Sequence, residues 1–179
     1  LKSTKAFDRI VLKILVPKER KSEGQAGQIG ESDRLEQVKE EIAITETFFS
    51  AIAGLRAQRG ARNWIRGRTD HFGFEIVASK QLISFYIDVP RRLTEMIAQQ
   101  IHAQYPYAEI EEMTDYNIFS EKSSIVGAYL TDKQPHYFSF KTYKTLESDP
   151  LSAILNVLAK SQENNSALAV QYVVRSSHR

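Results

Sequence analysis

The feature that most narrows the fold is a pair of alternating runs set back to back. Phe72, Phe74, Ile76 and Ala78 alternate with Gly73, Glu75 and Val77; after Ser79, Lys80 and Gln81 the pattern resumes, with Ile83, Phe85, Ile87 and Val89 against Ser84, Tyr86 and Asp88. A period of two places each apolar set on one face of a strand. Two such runs joined by a short polar turn predict a β-hairpin. Pro90 stops the second run, because proline has no N–H to give to a ladder.

The flanking segments complete a unit around this hairpin. Phe7 to Val16 (FDRIVLKILV) is rich in β-branched residues up to Pro17 and predicts a first strand. Lys18 to Asp33 carries charges together with Gly24, Gly27 and Gly30, the composition of a surface loop. Asp33 followed by Glu36 resembles a capping box. Leu35, Val38, Ile42, Phe49 and Ile52, widened by Phe48 and Leu55, then recur at helical spacing, which predicts a helix to about Leu55. Beyond the hairpin, Leu93, Met96, Ile97 and Ile101 share one helical face, and Pro106 ends that helix near Tyr105. Ala108 to Met113 reads as a strand with Ile110 inward. The order βαββαβ is that of a ferredoxin-like unit. Its expected core is Phe74, Ile76, Ile83, Phe85, Ile87, Met96, Ile97 and Ile101, on one sheet face against both helices.

The remainder repeats part of this pattern. Ser124 to Thr131 reads as a strand, a turn contains Pro135, and Tyr137 to Tyr143 reads as a second strand. A helix follows from Pro150 to about Lys160, capped by Asp149. The polar stretch Ser161 to Ser166 then leads to a final strand, Ala167 to Arg175. The expected architecture is α+β: a ferredoxin-like βαββαβ unit over residues 1–116, then a partial ββαβ repeat over 117–179 packed on or extending it. The sheet is mainly antiparallel, with helices on one face.

Composition sets the functional bounds. A chain of 179 residues, 42% hydrophobic and 26% charged, suits a folded domain. The absence of cysteine removes disulfides, thiolate nucleophiles and cysteine zinc sites. A net charge of +2 means that attraction to a polyanion must come from a local patch. No run approaches the roughly 20 apolar residues of a membrane helix, so these residues are not expected to insert into a membrane. Leu1, without an initiator methionine, and Arg179, close behind the last strand, read as cut ends of a longer protein.

Catalytic patterns are missing. GQAGQIGES, from Gly24 to Ser32, spaces glycines like a phosphate loop but has no lysine beside Ser32, and reads as a flexible linker. His71, His102, His136 and His178 have no second ligand at helical spacing. Glu109, Glu111, Glu112 and Asp115 gather at one strand end, where adjacent residues face opposite sides, and read as a solvated edge that repels other strands. No serine sits in a nucleophile motif. The chain is expected to be no enzyme, with no cofactor and no metal.

One patch stands apart. RAQRGARNWIRGR holds Arg56, Arg59, Arg62, Arg66 and Arg68 around Trp64, with no acid before Asp70. Arginine forks suit phosphates and the indole can stack on a base, which makes this a candidate nucleic-acid or anion contact. The same residues also suit a solvated helix end, where cations complement the dipole. An RNA-recognition fold shares the βαββαβ order, but HFGF at His71 to Phe74 falls in the second strand rather than the third, and ISFYIDV lacks the glycines.

The stretch HFGFEIVASKQLISFYIDVPRRLTEMIAQQIHAQYPYAEIEEMTDYNIF resembles the region preceding the motor ATPase in conjugative-transfer, type IV secretion-like proteins of small-genome bacteria. The resemblance continues in DPLSAIL and ALAVQYVV, is weaker from Leu12 to Leu55, and leaves out Gly24 to Gly30 and the arginine patch. It carries over no catalytic residue. It implies a membrane anchor upstream and a hexameric DNA-pumping ATPase downstream, both outside these residues, and a cytoplasmic position at the inner face of the membrane. The implied role is a non-catalytic accessory or assembly domain. Its partners would be other subunits or domains of the secretion machine, with homo-oligomerisation in the intact protein. The alternative is a nucleic-acid-binding module that contacts DNA weakly through the arginine patch.

Overall fold

The computed structural model describes residues 8–16, 43, 45–55, 69–113, 117–119, 123–131, 133, 150–163 and 166–176. Strand β1, Arg9–Leu15, alternates as its sequence requires, with Ile10, Leu12 and Ile14 buried and Arg9, Val11 and Lys13 on the opposite face. Helix α1 is described over 45–53; the residues in which its start is expected lie outside the described ones. The hairpin forms from β2, His71–Ser79, and β3, Leu82–Pro90. Its tight turn places Lys80 and Gln81 at φ of 51° and 62°, the left-handed region that two-residue hairpin turns demand. A 3-10 turn, Arg91–Leu93, leads into α2, Thr94–Gln104. Strand β4, Glu109–Met113, helix α3, Pro150–Glu163, and strand β5, Leu168–Arg175, follow.

The strands make one antiparallel sheet in the order β4-β1-β3-β2-β5. The chain is therefore α+β, with an open five-stranded sheet and three α-helices among the described residues. The helices share one face. Ile10, Leu12, Ile14, Phe72, Ile87 and Val89 from the sheet bury against Phe48 and Ile52 of α1 and Ile97 and Ile101 of α2. Phe48, Phe49 and Phe74 meet edge to face or tilted, with ring centroids 5.1–6.1 Å apart. Thr45 Oγ1 and Tyr105 Oη, 2.9 Å apart, tie α1 to the end of α2. A second cluster joins Leu158 of α3 to Ile76 and Ala78, with Leu168 and Val170 of β5 packed beside them.

Two expectations are corrected. Ile83 and Phe85 are not buried: they are 37% and 44% exposed, and belong to neither cluster. Phe85 pairs with Ile14 and Ile76, but the first cluster covers β1 and the far half of the hairpin while α3 covers β2, which leaves this part of β3 bare. The stretch 124–131 forms no strand. Its apolar residues come in adjacent couples, Ile125–Val126 and Tyr129–Leu130, around Gly127, so no period of two gives a strand one apolar face. The strand expected over Tyr137 to Tyr143 lies outside the described residues.

Candidate functional site

The arginine patch, Arg56, Arg59, Arg62, Trp64, Arg66 and Arg68, lies outside the described residues, but both of its stems are described. The chain leaves α1 through Gly54, whose N–H donates to the Ser50 carbonyl, and Leu55, whose N–H donates to that of Ile52. It returns at Thr69 and Asp70. Leu55 and Asp70 line one cavity of about 230 Å³ with Phe72, Arg92, Leu93 and Ser176. Ser176, just past β5, is 4% exposed and donates from Oγ to the Ala53 carbonyl, so the end of β5 is fastened to the end of α1. Asp70, 6% exposed, sets a carboxylate in the same wall.

Arg9 holds this end of the sheet together. Its Nε donates to both Asp88 carboxylate oxygens at 2.9 and 2.8 Å, and Nη2 lies 2.7 Å from Oδ2. Nη2 also donates to the carbonyls of His71 and Asp88, and Nη1 to that of Thr69. One guanidinium thus binds across β1, β3 and the start of β2, and fixes the point where the arginine segment returns. A planar fork satisfies such a set of acceptors; an ammonium would not. Gly73 faces the same carboxylate from β2, and a Cβ there would come 3.3 Å from that of Asp88. Burial holds the His71 imidazole below its ordinary pKa of 6.5, the Arg9 charge adds to this, and Asp88 and Asp70 oppose it.

Around this end stand further cations. Arg91 pairs with Asp8 at 2.7 Å, its own N–H donating to the Asp8 carbonyl. Arg92 and Arg175 are exposed, Arg175 opposite His71 in the β2–β5 register. On the sheet face opposite α1, α2 and α3, polar cross-strand partners stand beside the buried Val77: Lys13 with Glu111 at 3.9 Å, and Gln171 donating to Glu75.

Apolar surface gathers elsewhere. Ile125, Val126, Tyr129 and Leu130 are 64%, 94%, 88% and 101% exposed, and Phe119, whose N–H donates to Asn117 Oδ1, is 59% exposed. Among the described residues no cluster of histidine and carboxylate side chains could hold a metal, and no helix is long and apolar enough to cross a membrane.

Sequence reading missed the Arg9–Asp88 clamp and the cavity. The alternation of β1 and β3 puts both residues at polar positions, which is the one available signal; their proximity depends on register.

Fold and surface together define an α+β domain whose prominent surfaces are a sheet end that displays Arg92 and Arg175 and a set of exposed apolar segments. The family model of a domain of unknown function, DUF8128, matches residues 34–179, and the chain belongs to that family. No curated protein and no solved structure matches it.

Proposed function

We propose that the chain is a non-catalytic assembly domain of a membrane-associated conjugative-transfer, type IV secretion-like motor protein. In this reading β1, α1, β2, β3, α2 and β4 are a ferredoxin-like unit, supported by the order β4-β1-β3-β2, and α3 with β5 is its extension. The observation that carries the assembly role is the apolar surface outside both cores: Ile125, Val126, Tyr129 and Leu130 stand in water on a stretch with no strand or helix. Large apolar side chains exposed this close together in sequence suit a protein contact. The secretion context rests on the resemblance around QYPYAEIEEMTDY, which also supports a cytoplasmic position at the inner face of the membrane.

The test is to place Val126→Asp and Leu130→Asp together in the intact protein and follow its co-purification with the other subunits. Loss of assembly with an unchanged melting temperature of the isolated domain is expected. Normal assembly and normal DNA transfer would sink the reading.

A second reading, nucleic-acid binding through the arginine segment, is favoured by one observation: its stems meet at the sheet end that also displays Arg92 and Arg175.

A further inference from the structure

The two edges of the sheet are built differently. β4 is short and carries Glu109, Glu111 and Glu112, charges of the kind that keep a bare edge from recruiting another strand. β5 runs from Leu168 to Arg175 as LAVQYVVR, with no proline, glycine or acid, and its single charge is at the end. Among the described residues it pairs with β2 alone. Tyr172, Val173 and Val174 are 47%, 60% and 37% exposed. Register puts Tyr172 and Val174 on the helix face, opposite Phe74 and Phe72, and Val173 on the other, opposite Gly73. A strand apolar on both faces has the sequence of an interior strand, yet among the described residues β5 occupies an edge of the sheet.

We propose that β5 is completed by β5 of a second copy, antiparallel across a two-fold axis normal to the sheet, so that the two five-stranded sheets join edge to edge. Such an axis keeps both helix layers on one side and opposes residues of the same face. Centred on Gln171, it sets Leu168 against Val174, Ala169 against Val173 and Val170 against Tyr172. Centred on Tyr172, it sets Val170 against Val174, Gln171 against Val173 and Ala169 against Arg175. In both registers apolar residues meet apolar or neutral ones, save that Ala169 faces Arg175 when the axis is at Tyr172, and in neither do two like charges face each other. This self-complementarity is what selects a second copy as the occupant, and the acidic β4 edge stays outside the contact. The inference rests on the assembly reading and names its partner.

The chain has no cysteine, so single substitutions report the contact cleanly. Directly opposed residues of an antiparallel pair have Cα atoms about 4.5–5.5 Å apart, within disulfide range. Light scattering should show the wild-type mass rising with concentration toward twice the 20.4 kDa of one chain. Gln171→Cys or Tyr172→Cys should oxidise to a linked dimer while Glu112→Cys, on the other edge, does not. Val173→Lys should remain at the mass of one chain with an unchanged circular dichroism spectrum. A wild type that stays at one-chain mass, with Gln171→Cys and Tyr172→Cys linking no faster than Glu112→Cys, would overturn the proposal. If Val173→Lys then still disrupts the intact protein's assembly, only the second copy is refuted. A dimer whose Val173→Lys variant assembles normally in the intact protein would instead refute the assembly role and keep the dimer.

Discussion

Truncating Arg9 would remove one donor group from the Asp88 carboxylate and from the carbonyls of Thr69, His71 and Asp88 together. Both side chains of the pair are largely shielded, at 15% and 22% exposure, so water replaces the lost bonds only in part. Arg9→Ala should cost about 3 kcal/mol in urea unfolding, and Arg9→Lys should recover little, because a point charge cannot span the same acceptors. His71 adds a pH dependence. Its folded pKa is lowered below 6.5, so the unfolded chain takes up its proton first as pH falls. Stability therefore declines through the window just below pH 6.5 and levels off beneath the folded pKa. His71→Gln should flatten that part of the profile of urea midpoint against pH; an unchanged slope would place the effect on other groups.

At the scale of elements, burial separates two phenylalanines that look alike in the hairpin sequence. Phe72 is 1% exposed, and Phe72→Ala should cost about 3–5 kcal/mol. Phe85 is 44% exposed, and Phe85→Ala should cost about 1–2 kcal/mol, since much of its surface is already in water. Equal losses in thermal unfolding would show that β3 is covered after all. The contrast marks what was legible in the sequence. The alternation of β1 and of the hairpin, the apolar run of β5, and the stripe on α2, are local patterns, and each produced its element. Exposure of Phe85 depends on where the helices stop, which no strand encodes. The Arg9–Asp88 clamp depends on the pairing register between strands far apart in sequence. Over 124–131, β-branched and aromatic composition suggested a strand that the coupling of its apolar residues does not support.

Considered as a whole molecule, the chain keeps opposite characters apart. The end of the sheet at Asp70 and Arg92 carries the stems of the arginine segment, the β4 edge is acidic, and the β5 edge is apolar. With a net charge of only +2, any DNA affinity must come from a local patch such as the arginine segment. Binding through Arg56, Arg59, Arg62, Arg66 and Arg68 should be indifferent to sequence, with a log–log salt slope on duplex no steeper than roughly −4 to −5. Arg59→Glu, Arg62→Glu and Arg66→Glu together should abolish it in a fluorescence titration. If wild type and triple variant bind alike at low salt, the segment is a solvated face or a protein contact.

The pairing of β2 with β5 also sets a clock. Glu75 and Gln171, bonded across that ladder, are 96 positions apart in the chain. At ribosomal rates of about 5–20 residues per second, the interval between them spans roughly 5–20 s. Through that time the nascent hairpin holds the β2 edge open, with Phe72, Phe74 and Ile76 awaiting the strand that will flank them. A chain ended at residue 149, lacking α3 and β5, should collect in the insoluble fraction on expression while the full chain does not. Slowing translation between residues 79 and 168 should then lower the yield of the full chain, because it lengthens the exposure of the β2 edge that β5 closes.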